Sequence, residues 1–139
     1  VDNLPSSLKT IIFGHEFDKP VNNLPLNLTY LEFGDYFNQT VDNLPSNLKT
    51  LIFGNSFNEP VNKLPFSLTC LKFGCSFNKP VDNLPLNLET IIFGSFFNQP
   101  VDNLPPNLKK IEFGRDFEQN IDKLPSSLQD IKFTKWFNS

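Results

Sequence analysis

Few of the 139 residues could do chemistry, and their spacing argues against it. His15, the single histidine, stands beside Glu16, with Asp35 twenty residues further on. One imidazole falls short of the three or four ligands that a zinc ion takes. Cys70 and Cys75 add neither a second histidine nor a C-x-x-C pair, so no metal is expected. In an extended segment a five-residue spacing holds their Cα atoms beyond the ~7 Å limit for a disulfide. They are read as free thiols of a reducing, cytoplasmic compartment. Asp2, Asp42 and Asp82 alternate with Asn22 and Asn62, which supplies too few ligands in any one stretch for a calcium loop. No serine or cysteine has a histidine that recurs with it, so a nucleophile would lack its base. The chain is not expected to be an enzyme, to carry a cofactor, or to have catalytic residues.

Composition narrows the partners. The net charge is −3 with a pI near 5.0, which gives no electrostatic footprint for nucleic acid. Apolar runs such as Leu51-Ile52-Phe53 stop at three residues, where a bilayer needs roughly 20. Val1 already lies inside a repeat, so no leader is expected, and a chain without Met is expected to be a piece of a longer protein.

What must position any site is a repeat. The segment Leu48-Lys49-Thr50-Leu51-Ile52-Phe53-Gly54-Asn55-Ser56-Phe57-Asn58 returns every 20 residues, and seven copies fill the chain. A fixed period of this size marks a solenoid, in which each layer buries its apolar face only against its neighbours. The chain is therefore one domain over 1–139, divided as 1–20, 21–40, 41–60, 61–80, 81–100, 101–120 and 121–139. Within the first copy Val1, Leu4, Leu8, Ile11, Phe13 and Phe17 are the apolar positions. The two-residue step from Ile11 to Phe13 is the alternation of a strand with one buried face. It predicts strands at 10–13, 30–33, 50–53, 70–73, 90–93, 110–113 and 130–133. Gly14 and its equivalents follow the strands, where a bend or a positive φ would favour glycine. Proline at 5, 25, 45, 65, 85, 105 and 125 argues against a helix in the return segment. Of 16 phenylalanines, 14 fall in the rows begun by Phe13 and Phe17, and these predict a stacked aromatic spine. Asn38, Asn58, Asn78, Asn98 and Asn138 predict a buried ladder of amides that bond to the next coil, with Asp18 and Glu118 as exceptions.

The motif L-x-x-L-x-F-G-x-x-F-N resembles a leucine-rich repeat, and its continuation F-N-x-P-V closely resembles the FNIP repeat. The seventh copy departs from it at Phe133-Thr134-Lys135-Trp136-Phe137. The resemblance implies a curved, right-handed solenoid, a parallel β-sheet of short strands on its concave face, and little or no α-helix on the convex side. It also implies protein binding and not chemistry. Some members join an F-box that recruits a ubiquitin ligase, so the repeats could form the substrate-recognition part of a larger adaptor; no F-box lies within these residues.

The outward strand positions are then the candidate protein-binding surface: Thr10, Ile12, Tyr30, Glu32, Thr50, Ile52, Lys72, Thr90, Ile92, Lys110 and Glu112. Copies one, three and five read Thr-x-Ile and the even copies carry a charge, a parity that duplication of a 40-residue unit explains. Outward isoleucines on an otherwise polar face favour a protein partner of unknown identity. The competing reading is a structural rod that associates through its uncapped ends. Its first coil would present apolar side chains and an open strand edge to self-association. Asn120, Asp130, Thr134, Lys135 and Trp136 make the last coil more polar, nearer to a cap.

Overall fold

The structure, a computed structural model, describes residues 3–134. Seven short strands follow one another: β1 (Thr10–Ile12), β2 (Tyr30–Glu32), β3 (Thr50–Ile52), β4 (Cys70–Lys72), β5 (Thr90–Ile92), β6 (Lys110–Phe113) and β7 (Asp130–Phe133). They form one parallel sheet in the order of the chain, each residue paired with the one 20 positions later. No described residue is helical. The expected strands are present, and the first five end one residue earlier than the alternation suggested. This is a parallel β-solenoid of the leucine-rich-repeat type, one coil per 20 residues.

Turns replace helix because the return segment is closed by backbone bonds across three residues. Leu8 N–H donates to Pro5 C=O at 3.3 Å, and the same bond recurs in every coil through Leu128 to Pro125. Phe17 N–H donates to Gly14 C=O at 3.2 Å. Proline at the start of the first of these turns offers an acceptor and needs no donor partner of its own.

The core is built of apolar rows. Leu28, Leu31, Phe37, Leu48, Leu51, Phe57 and their equivalents in the third to sixth coils are buried, and among the described residues no buried residue is polar. Within a coil the two phenylalanine rings stack at 3.7–4.0 Å between centroids. Coils related by translation alone would keep one separation everywhere, about 4.8 Å as between paired strands. Instead the Phe13 row steps by 5.4–5.9 Å and the Phe17 row by 6.0–6.2 Å. The coils fan apart away from the strands, so the sheet lies on the inner side of a curve.

Three expectations need correction. The glycines do not adopt positive φ; among the described residues only Asn3 does, at 67°. They are required because coils touch there. A Cβ on Gly54 would fall on the carbonyl of Gly34 and lie 2.8 Å from the Asp35 Cα, and Gly34, Gly74, Gly94 and Gly114 meet the same obstacle. The asparagine ladder exists but is not buried. Asn38 Oδ1 accepts from Asn58 N–H at 2.9 Å, Asn58 Oδ1 from Asn78 N–H and Asn78 Oδ1 from Asn98 N–H, while these side chains stay half-buried or exposed. The ladder runs along a rim because one amide oxygen is enough to satisfy the next coil's N–H, whose other side meets water. The last coil does not present a polar cap among its described residues, where Ile131 and Phe133 are each 46% exposed. Lys135, Trp136 and Asn138 lie outside the described residues.

Candidate functional site

Strand pairing lines up the candidate residues in two rows. Thr10, Tyr30, Thr50, Cys70, Thr90 and Lys110 succeed one another on one row, and Ile12, Glu32, Ile52, Lys72, Ile92 and Glu112 on the other. The intervening Ile11-row residues point into the core, and from Leu31 to Ile111 they are fully buried. The period-2 geometry of a strand therefore turns both candidate rows outward together. Ile12 is 64% exposed; Ile52 and Ile92 are half-buried, as are Tyr30 and Glu32. The three isoleucines alternate with Glu32, Lys72 and Glu112, an apolar line interrupted by charges.

Local bonds shape this surface. Tyr30 Oη donates to Glu32 Oε2 at 2.7 Å, which pins the carboxylate and holds the phenol above its ordinary pKa. Burial pushes the Cys70 thiol up, against Lys110 and Lys72, which draw it down. Lys132 Nζ lies 3.9 Å from Glu112 Oε1. Among the described residues Lys72 is in no ion pair, so it offers a cation between Ile52 and Ile92.

Of the residues that looked most like chemistry, the fold joins His15 to Asp35 and places the two cysteines on different elements. His15 Nδ1 lies 3.2 Å from Asp35 Oδ2, and its ring stands 4.8 Å from that of Tyr36. This is an exposed contact between the first and second coils at the turn after the strands. Cys70 lies on the sheet and Cys75 on that turn, both as free thiols. Among the described residues no group of three or more His, Cys, Asp or Glu is placed to hold a metal ion, and no helix is long and apolar enough to cross a membrane.

Two further surfaces were not singled out in the sequence. Beside the sheet runs an open polar trough of about 550 Å³, bounded by the Lys49-to-Gln129 row and the Ser67-to-Ser127 row. In the return turns Leu26, Phe66 and Leu86 are 59–78% exposed. Their position directly after the turn proline was the available signal: it holds Ser6, Leu26, Ser46, Phe66, Leu86, Pro106 and Ser126, the mixture of a solvent-facing position.

Comparison with known proteins agrees with this geometry. The chain is 41% identical over 98% of its length to part of a solved protein, CroV588, described as a novel circular LRR protein structure, with a TM-score of 0.88. The chain spans 22% of that protein's length. No curated protein matches it. The FNIP Repeat model matches at residues 20–56, 37–76, 57–96 and 97–135. The chain belongs to the FNIP repeat family.

Proposed function

We propose that the chain is a non-catalytic scaffold that binds another protein on its strand-bearing inner face. One observation carries the reading: Ile12, 64% exposed, begins a line with Ile52 and Ile92 on a face where the other outward residues, Cys70 apart, are charged or hydroxylated. Repetition governs the core residues, whereas the outward rows vary from coil to coil, as a surface shaped to one partner would. Recognition of a substrate for a larger adaptor is one form of this role. The two free thiols support a reducing, cytoplasmic setting.

The described curvature and the likeness to a circular protein support a further architectural reading, in which these seven coils form an arc of a longer ring.

The binding role is tested with immobilised chain and the triple variant Ile12→Lys, Ile52→Lys, Ile92→Lys. A protein retained by the first and lost with the second, and shielding Cys70 from iodoacetamide, supports the inner face as the site. Retention by both with Cys70 still reactive refutes it.

A further inference from the structure

We propose that the occupant of the inner face is an amphipathic α-helix of a partner protein, laid across the strands, whose contacting side reads cation, apolar, anion, apolar, cation. The proposal rests on the inner-face binding reading and names the form and charge of what binds there.

One outward row of the sheet carries the pattern. In the second to sixth coils, successive pairing places Glu32, Ile52, Lys72, Ile92 and Glu112 in a line. Charged and apolar residues alternate, and the sign reverses from each charge to the next. An isoleucine stands between neighbouring charges, and among the described residues no ion pair joins Lys72 to either carboxylate. Tyr30 Oη fixes Glu32 Oε2 at 2.7 Å, and Lys132 Nζ stands 3.9 Å from Glu112 Oε1. A partner that sets opposite charges against this row is attracted, and one that sets like charges against it is repelled.

Spacing selects the form of the partner. Paired strands lie about 4.8 Å apart, so like members of the row recur about every 9.6 Å. Both intervals must be matched along one side of whatever binds. Residues seven apart on an α-helix share a side about 10.5 Å apart, and those three or four apart fall between them at about 5 Å. An extended strand returns to one side about every 6.7 Å and loses step at once. A polyproline helix returns about every 9.3 Å, which suits the isoleucines but brings nothing to the charges between them. Of the three, the α-helix answers both intervals.

The sheet leaves room for its body. In the second outward row Thr50, Cys70 and Thr90 are small and half-buried, and they lie between Tyr30 and Lys110. A helix set against Ile52 and Ile92 rests over these small side chains and covers the Cys70 thiol.

Three synthetic peptides test this by fluorescence anisotropy. The matched peptide sets lysine, leucine, glutamate, leucine and lysine along one side of an alanine-rich helix. The second exchanges lysine with glutamate, and the third keeps the matched side chains but has a central proline that breaks the helix. The matched peptide should bind about tenfold more tightly than either of the others. It should also slow carboxymethylation of Cys70 and leave that of Cys75, on the turn, unchanged. With Lys72→Glu its affinity should fall by about the same factor, and a peptide with lysine at the centre should recover it. Circular dichroism checks that this variant folds. Equal binding of the matched and charge-exchanged helices overturns the proposal, and so does tighter binding of the proline peptide, which assigns the face to an extended partner. If no peptide binds, the helical occupant is likewise refuted. The inner-face reading then still stands where a protein retained by the immobilised chain shields Cys70, and falls with it where Cys70 stays reactive.

Discussion

Replacing Gly14 and Gly54 by alanine makes one chemical change at two equivalent positions, and the structure assigns it opposite signs. Neither glycine has positive φ, so the backbone itself tolerates alanine at both. Alanine narrows the unfolded ensemble, which stabilises by ~0.4–1 kcal/mol where nothing else changes. Gly14 meets that condition, since a Cβ there has no neighbour within 4 Å. At Gly54 the new carbon falls on the Gly34 carbonyl and within 2.8 Å of the Asp35 Cα. Both obstacles are backbone, so no rotamer change relieves them and the coils must part by roughly 1 Å. Overpacking of this kind costs ~1–3 kcal/mol, and the parting also strains the bond from Ser56 N–H to the Asp35 carbonyl at 2.9 Å. After the entropic gain is set against it, Gly54→Ala should destabilise by about 1–2 kcal/mol. Urea titration followed by circular dichroism reads both, provided the slope with denaturant is unchanged. A neutral Gly54→Ala, or a Gly14→Ala as costly as Gly54→Ala, would show that the coils do not touch through their glycines.

Phe57 is fully buried between Phe37 and Phe77, so Phe57→Ala should cost ~3–5 kcal/mol in the same titration. Phe96 is 46% exposed and carries the Arg115 guanidinium 5.7 Å above its ring, so Phe96→Ala should cost only ~1 kcal/mol. Asp18 takes the asparagine place in the first coil, and the bond from Asn38 N–H, then that from Gln39, holds its carboxyl below the ordinary 3.8. Because the folded value is depressed, the unfolded chain takes up the proton first as pH falls. Its contribution is present above pH 3.8 and fades as pH drops through the folded value; Asp18→Asn should flatten the acid limb of a stability–pH curve, and an unchanged limb would count against the bond. Cys70, half-buried with its thiol pushed up by burial, should react with iodoacetamide at pH 7 more slowly in the folded chain than in urea. Equal rates would mean that the sheet face does not shelter it.

Much of the fold was legible because a repeat states its pattern seven times. The step from Ile11 to Phe13 placed each strand, and the row positions of the phenylalanines placed the spine, since side-chain direction in a strand follows from sequence parity alone. The outward rows followed from the same parity, which is why Ile12, Ile52 and Ile92 could be named together before their pairing was known. The exposed Leu26, Phe66 and Leu86 were harder to read, because a turn has no period from which direction can be deduced.

What sequence could not determine were the distances between coils. A glycine in every copy is compatible with a positive φ or with a close approach, and only the Gly34 carbonyl beside Gly54 distinguishes them. An asparagine in successive copies is compatible with a buried ladder or a rim, and only the depth at which Asn58 and Asn78 sit decides it. Curvature likewise emerges from the unequal steps of the strands and the Phe17 row, 6.0–6.2 Å for the latter. Local pattern determines which way a residue faces within its own coil. How near the next coil lies is a property of the whole stack, in which every row must pack at once.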